Sequence, residues 1–401
     1  MKDPFERIND PVTRAQLLRR AAAGGVTLSL PGLLAACGGG GGGIEGQQAD
    51  SSAEETTVEQ VLADQITVSN WPFYIDQNDD ASKFPTLEQF TKQTGVKVNY
   101  LEDINSNEEF FGEIQAPLSR GQSIDRDIIV PTAWLAARLK SLGYLQKLDK
   151  SAIPNFDNLQ DALRSPSFDP NREYSMPWQS GMTGIATNTK LTGGKPVTTI
   201  DALLEDSSLK GKVTLLSEMA DAMSLVMLAN GDDPTKVDDA SFDKAYDRIK
   251  KAVDSGQVRQ FTGNDYSGPL SKGDLAAAMS WSGDVVQLSA DNANLVWNLP
   301  ESGGDIWTDN MLIPKGGDVF TASTYMNFVY DPEVAAKIAA YVNYVTPVKG
   351  AKEAAAKIDP ELADNPLIFP DDATLSKVVI FDNKALTNQD YLERWQTLIG
   401  S

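Results

Sequence analysis

Residues 86–100 read TLEQFTKQTGVKVNY and predict a helix followed directly by a strand. Thr86 can cap this helix, which runs through Phe90 and ends at Gly95. Beyond the glycine, apolar and polar residues alternate, which is typical of a β-strand. Residues 66–69, ITVS, predict another strand shortly before the helix. The unit is therefore a strand, a helix and a second strand.

The same order of elements continues along the chain. Residues 127–130, DIIV, form a short apolar run of the kind that is buried on both faces of a sheet, and a helix is predicted to follow at 134–142. Further strands are predicted at 213–216 and 277–280, and further helices at 245–253 and from Asp331 onward. Alternating strands and helices predict α/β domains with parallel or mixed sheets.

The first 64 residues predict an export signal and a tether rather than folded structure. Arg14, Arg19 and Arg20 precede an apolar run at 21–34, and Leu-Ala-Ala then leads to Cys37, the only cysteine. This order resembles a lipoprotein signal peptide (1–36) with a lipobox, in which Cys37 is acylated. Oligoglycine and acidic residues follow, and they predict a flexible tether at 37–64. The alternative is a buried free cysteine after an ordinary helix. The signal predicts a protein outside the cytoplasm, in the periplasm or on the outer face of the cell membrane, held by lipid.

Composition excludes several classes of function. The chain has 56 acidic and 35 basic residues and a formal net charge of −21, which argues against nucleic acid as a partner. An acidic surface favours cationic ligands, although solubility alone also explains it. Because there is no histidine and only one cysteine, histidine-dependent catalysis, thiolate chemistry and intramolecular disulfides are excluded, and we expect no metal or other cofactor. Paired carboxylates stay possible as catalysts.

Three segments combine aromatic and polar or acidic residues at the ends of predicted strands. They are WPFY at 71–74, WSGD at 281–284 and GGDIWTD at 303–309. Indole and phenol rings next to carboxylates suit a ligand with cationic heads and an apolar body. For any single tryptophan, packing in the core is the simpler alternative.

A collinear set of short motifs resembles the periplasmic polyamine-binding proteins, the spermidine/putrescine receptors of ABC importers. The motifs are SNW (69–71), LEQFTK (87–92), TGVKV (94–98), SNE (106–108), VP (130–131), LQKLDKS (145–151), FDPN (168–171), YSMP (174–177) and NYVTP (343–347). The resemblance extends from Ile66 to the C-terminus. It implies the type II-like periplasmic-binding-protein fold, in which two α/β lobes joined by crossing strands grip the ligand in a cleft.

The resemblance also implies where the lobes begin and end. One lobe would comprise 65–181 plus 309–355, and the other 182–308 plus 356–401. The chain would cross near Gly181 and return near Asp309. The implied partners are a polyamine, an ABC transporter permease and, through the lipid, the membrane; the chain would act as a monomer.

Twelve ligand contacts follow from matching the family's site residue by residue. They are Trp71, Tyr74, Glu108, Thr132, Trp134, Glu218, Asp221, Trp281, Asp284, Trp307, Asp309 and Tyr344. The resemblance implies an aromatic box around the methylene chain, with Asp309 binding one amine. Glu218 and Asp221 would form an acidic pair at the other end of the cleft, in swapped order relative to the spermidine-type pattern. Asp284 and Glu108 match putrescine-type contacts.

Structural roles are the alternative for each of these acids. Glu218 and Asp221 fall in a predicted first helical turn, where the helix dipole alone favours carboxylates. Asp284 could cap a helix that begins at Val285, and Glu108 could belong to an ordinary helix start.

Three other functions are compatible with the sequence. The first is a receptor of the same architecture for an amino acid or a sugar. The second is a carboxylate-dependent hydrolase tethered to the envelope. The third is a sensory lipoprotein that binds polyamine without transporting it.

Overall fold

The computed structural model describes residues 60–78, 83–104 and 106–400. The predicted signal peptide, the predicted lipidation of Cys37 and the predicted tether up to residue 59 lie outside the described residues and stay predictions. The first strand begins at Gln65, as the sequence predicted. No helix in the described part of the chain is both long enough and apolar enough to cross a membrane.

Eleven strands in the described residues form one mixed sheet. They are β1 Gln65–Asn70, β2 Lys97–Glu102, β3 Ile128–Ile129, β4 Leu145–Gln146, β5 Ser175–Asn188, β6 Val213–Leu216, β7 Val258–Thr262, β8 Ala277–Trp281, β9 Leu295–Asn298, β10 Gly304–Pro314 and β11 Val378–Val379. The order is β2-β1-β3-β10-β5-β8-β6-β7, with β4 and β11 paired to β10 and β9 paired to β5.

Two parallel blocks lie on either side of a long antiparallel pair. β1, β2 and β3 are parallel in one block, which we call the first lobe; β6, β7 and β8 are parallel in the other, the second lobe. Within each block the strands lie in the order second, first, third along the chain. The predicted α/β architecture, with two lobes joined by crossing strands, is confirmed.

The crossing strands β5 and β10 connect the two lobes. β10 pairs with β3 through Leu312 and Ile129, whereas the far half of β5 pairs with β8. Between these ends, Trp307 of β10 lies opposite Gly181 of β5. All residues of β5 are buried, as expected of a strand in the middle of a sheet that is covered on both faces. The exact bounds of the two lobes stay a prediction.

Fourteen α-helices in the described residues accompany the sheet. They are α1 Pro85–Thr94, α2 Asn107–Ser119, α3 Ala133–Ser141, α4 Ile200–Glu205, α5 Met219–Ala229, α6 Asp239–Asp254, α7 Ser267–Lys272, α8 Ser282–Asp291, α9 Val319–Val329, α10 Pro332–Val342, α11 Ala351–Ile358, α12 Pro360–Ala363, α13 Asp372–Leu375 and α14 Gln389–Ile399. The last helix packs on α6, where the rings of Tyr391 and Phe242 stack with their centroids 3.9 Å apart.

Helix ends follow the sequence signals with two exceptions. Gly95 ends α1 with a left-handed φ of 82°, and Asp331 caps α10 by accepting from the backbone of Glu333 and Val334, both as predicted. Thr86, however, is not the cap of α1, because Pro85 already occupies the first helical position and the threonine is buried inside the first turn. Asp284 is not a cap either, since α8 begins earlier, at Ser282.

Candidate ligand-binding site

A cavity of about 160 Å³ lies between the two lobes. The segments after β1 and β3 line it from the first lobe, and the segments after β6 and β8 line it from the second. The carboxyl ends of parallel strands from both lobes therefore converge on it, which is the usual place for a ligand in open α/β sheets.

Eleven of the twelve predicted contacts line this cavity. They are Trp71, Tyr74, Thr132, Trp134, Glu218, Asp221, Trp281, Asp284, Trp307, Asp309 and Tyr344. Glu108 is not among the lining residues, but its carboxyl group interacts with that of Glu218, which is. Whether each of these residues contacts a ligand stays a prediction.

Tyrosine and tryptophan rings form a continuous series along the cavity. The ring centroids of Tyr74 and Tyr344 are 5.3 Å apart, those of Tyr344 and Trp307 are 5.6 Å apart, and those of Trp307 and Trp281 are 6.3 Å apart. All three pairs are tilted or edge-on, which is the preferred arrangement of aromatic rings. The series offers several faces to an elongated apolar molecule.

A hydrogen bond positions the ring of Trp71, and a glycine positions the ring of Trp307. Trp71 follows β1, and its indole N–H donates to the carbonyl of Val130 at 2.9 Å, which holds it against the end of β3. Trp307 lies flat against β5 because the residue opposite it is Gly181. A Cβ at Gly181 would lie 2.3 Å from the indole ring, so any larger residue would displace Trp307.

Asp309 lies at an irregularity in β10, where the pairing with β5 shifts between Thr308 and Asn310. Such bulges redirect side chains next to binding sites. The Asp309 carboxyl is buried and accepts hydrogen bonds from Tyr74 Oη and Thr132 Oγ1, each at 2.8 Å. Burial raises the pKa of Asp309 to about 7, although both hydrogen bonds oppose the rise.

A second group of acids lies at the start of α5. Asp221 accepts from the indole N–H of Trp281 at 2.9 Å and from the hydroxyl of Thr183. Glu218 is the N-cap residue of α5, but its side chain makes no capping bond. Burial raises the pKa of both acids, and for Glu218 the neighbouring carboxyls of Glu108 and Asp221 raise it further. An ordinary role as helix-dipole partners does not explain two buried acids with the carboxyl of Glu108 next to them.

Asp284 is held by three donors. Asn264 Nδ2 at 2.9 Å and Tyr266 Oη at 2.8 Å donate to one carboxyl oxygen, and Tyr344 Oη at 2.8 Å donates to the other. These bonds fix the position of the carboxyl group at the cavity wall.

Sequence reasoning missed several lining residues, including Asp305, Asn264, Gln287 and Asp291. Asp305 precedes Trp307 by two residues and Asp309 by four along β10. Residues at this spacing share one face of a strand, so the alternation could have identified Asp305 as a lining residue. It is buried, and burial followed by the charge of Asp221 raises its pKa well above the ordinary value. Gln287 and Asp291 follow Asp284 on α8 at helical spacing.

The lining is strongly one-sided in charge. Six of its residues are aspartate or glutamate: Glu218, Asp221, Asp284, Asp291, Asp305 and Asp309. None of the described residues that line the cavity is lysine or arginine. Carboxylates that are removed from water without a positive partner are costly, so a cationic ligand would relieve that cost where an anionic ligand would add to it.

Comparison with known proteins agrees with this picture. Residues 86–370 match the family described as bacterial extracellular solute-binding protein. The chain is 28% identical over 332 residues to the spermidine/putrescine-binding periplasmic protein of Escherichia coli (strain K12). The aligned region covers 82% of this chain and 90% of that protein. It is 29% identical over 327 residues to the putrescine-binding periplasmic protein PotF of the same strain, with 76% and 83% covered.

A solved structure shows the same fold. It is the spermidine/putrescine ABC transporter substrate-binding protein PotD of Streptococcus pneumoniae, with a TM-score of 0.67 and 25% identity, covering 84% of this chain and 98% of that one. Proteins of the matched family bind solutes outside the cytoplasm for ABC transporters and are not enzymes. The chain belongs to the bacterial extracellular solute-binding protein family.

Proposed function

We propose that this protein captures polyamines such as spermidine or putrescine and delivers them to the permease of an ABC importer. The observation that carries the proposal is the cavity lining, which combines seven aromatic rings with six carboxyl groups and, among the described residues, includes no lysine or arginine. The relatives named above for spermidine and putrescine support the same ligand class.

An alkylammonium chain places two demands on a binding site. Its methylene groups gain roughly 0.8 kcal/mol each on leaving water, while each ammonium needs a negative partner to replace its hydration. Aromatic faces cover carbon and attract cations, at roughly 0.5–2 kcal/mol each. In the proposed complex, the ring series from Tyr74 to Trp281 sheathes the carbons.

The acids lie in separate groups, as a molecule with several ammoniums requires. Asp309 would hold one ammonium next to Tyr74 and Thr132. The acids around Glu218, including Asp221 and Glu108, would hold another. Asp284, which lines the cavity wall, would hold a third. This arrangement suits a diamine or a triamine.

Calorimetric titration tests the proposal, using the chain with Cys37→Ser to keep it in solution. The ligands are putrescine, spermidine, spermine, a panel of amino acids, glucose and maltose. We expect binding of at least one polyamine and none of the sugars. Binding of a sugar or an amino acid, with no polyamine bound, would assign the site to another solute.

Polyamine affinity should fall as the pH falls from 8 to 6. Asp309 has a raised pKa of about 7, so it is mostly ionised at pH 8 and mostly protonated at pH 6. The primary amines at the ends of the ligand, whose pKa values are about 10 as for lysine, stay charged throughout. Only the ionised carboxyl pairs with an ammonium, so protonation of Asp309 alone should weaken binding roughly tenfold over this range.

Calorimetry in two buffers of different ionisation heat checks the pH effect, because binding near pH 7 should release protons. The profile of Asp309→Asn should be flatter than that of the wild type. An affinity that is constant from pH 8 to pH 6 would show that Asp309 does not pair with the ligand.

We also propose that the protein is anchored to the membrane through lipid on Cys37. The lipobox-like residues 34–37 and the signal-like residues before them support this. Cys37→Ser should release the protein from the membrane fraction or block its maturation. Mass spectrometry of the membrane-bound wild type should show an acylated N-terminal cysteine, and an unmodified Cys37 there would rule the anchor out.

A further inference from the structure

The ring of Tyr344 lies directly against Gly283 in the first turn of α8. A Cβ at position 283 would lie 2.6 Å from two carbons of that ring and 2.7 Å from a third. Carbon atoms in favourable contact are about 3.5–4.0 Å apart, so the space for even a methyl group is missing by about 1 Å. The contact therefore exists only because residue 283 has no side chain.

Two hydrogen bonds join the same helix to the same segment. Tyr344 Oη donates to Asp284 Oδ1 at 2.8 Å, and Gln287 Nε2 donates to the carbonyl of Val342 at 2.7 Å. One face of α8 thus meets residues 342–344 through a ring contact and two polar contacts.

This contact crosses the cleft. Helix α8 follows β8, which belongs to the second lobe. Residues 342–344 form the end of α10 and the two positions after it. This helix packs on α1 of the first lobe, and Val345 pairs with Ser180 of the crossing strand β5. Solute-binding proteins of this kind close around their ligands by hinge motion, so a contact between lobes at the cavity wall is a candidate for one that forms on closure.

We propose that Gly283 is a positioning residue that sets how far the cleft closes, because its missing side chain lets α8 seat on Tyr344. The ring cannot retreat, since Tyr74 and Trp307 flank it at 5.3 Å and 5.6 Å. A larger residue at 283 would hold the lobes apart at this point. The inference rests on the proposed function only for the choice of ligand.

The variant Gly283→Ala isolates this effect. Gly283 is not among the glycines with a left-handed φ, and alanine forms helix more readily than glycine, so the fold itself should not suffer. We expect an unliganded melting temperature at or above the wild-type value. Spermidine affinity should fall ten- to hundredfold, because the opposing walls no longer reach the ligand together. Gly112→Ala in α2 is the matched control, since a Cβ there meets nothing within 4 Å.

Spin labels on the two lobes measure closure itself. In the full chain carrying Cys37→Ser, Lys92→Cys and Lys251→Cys place labels on exposed positions of α1 and α6. Double electron–electron resonance, with and without spermidine, gives the populations of short and long distances. The wild type and Gly112→Ala should populate the short distance, more so with spermidine, and Gly283→Ala should lose it in both conditions.

The outcomes separate this inference from the ligand assignment. If the wild type binds spermidine and Gly283→Ala matches it in affinity and distances, Gly283 does not control closure. If the wild type never populates the short distance, the contact is not a closed-state contact and the inference also fails. If spermidine does not bind but Gly283→Ala still loses the short distance, the inference holds and the polyamine assignment is wrong.

Discussion

Asp309→Asn should weaken the binding of spermidine and putrescine roughly thirtyfold or more, the largest effect expected of a single change. The buried carboxyl of Asp309 is fixed by Tyr74 and Thr132, and an ammonium next to it would be desolvated. Asparagine keeps the shape but removes the charge, which leaves the cation without its counterion. Truncating one side of such a buried pair typically costs about 2–5 kcal/mol. Calorimetric titration at pH 8 measures the loss.

The stability of the unliganded protein should change in the opposite direction. The pKa of Asp309 in the folded protein, about 7, lies above the value of about 3.9 for an unfolded aspartate. Ionising Asp309 therefore costs stability as the pH rises from about 4 to 7. Asparagine removes this cost, so the melting temperature at pH 8 should hold or rise. Asp331→Asn, at a helix cap where asparagine serves equally well, is the control and should leave binding unchanged. Wild-type affinity in Asp309→Asn would remove Asp309 from the site.

Trp307→Ala should weaken polyamine binding by about 1–3 kcal/mol, or roughly five- to 150-fold, with a small effect on folding. The indole is only half-buried and lies between Trp281 and Tyr344, so its truncation removes the middle face of the ring series. Trp281→Ala should also weaken binding, but its indole N–H donates to Asp221, so the loss there includes a hydrogen bond to a buried acid.

Trp297→Ala is the matched control for the aromatic series. Trp297 is also partly buried and lies against a glycine of β5, Gly184, but it does not line the cavity. We expect lower stability and unchanged affinity. If Trp307→Ala instead lowered the melting temperature strongly while the folded fraction bound normally, Trp307 would be a core residue.

The sequence contained enough local information to predict the architecture. Short apolar runs such as 127–130, together with a clear glycine stop at Gly95, indicated alternating strands and helices, and the structure confirms them. One predicted helix start, the Thr86 cap, is wrong, and the alternative role of Asp284 as a helix cap does not hold; each depends on a neighbouring residue. Pro85 takes the first position of α1 ahead of Thr86, and α8 begins directly at the end of β8, before Asp284.

The eleven candidate residues that line the cavity were identified from the family resemblance, residue by residue. Composition alone did not locate them. Asp305 was missed although it shares the strand alternation of Trp307 and Asp309; its contacts with Ser224 and the backbone of Phe381 join segments far apart in sequence. Gly283 had no signal at all. Its importance arises only from the ring of Tyr344, which approaches it from the other lobe.

A crystal structure of the protein with spermidine tests the central claim most directly. We predict that spermidine lies in the cleft, with one ammonium within hydrogen-bond distance of Asp309. Its methylene chain should pack between the rings of Trp281, Trp307 and Tyr344. A cleft that stays empty at saturating spermidine, or spermidine bound elsewhere on the surface, would contradict it.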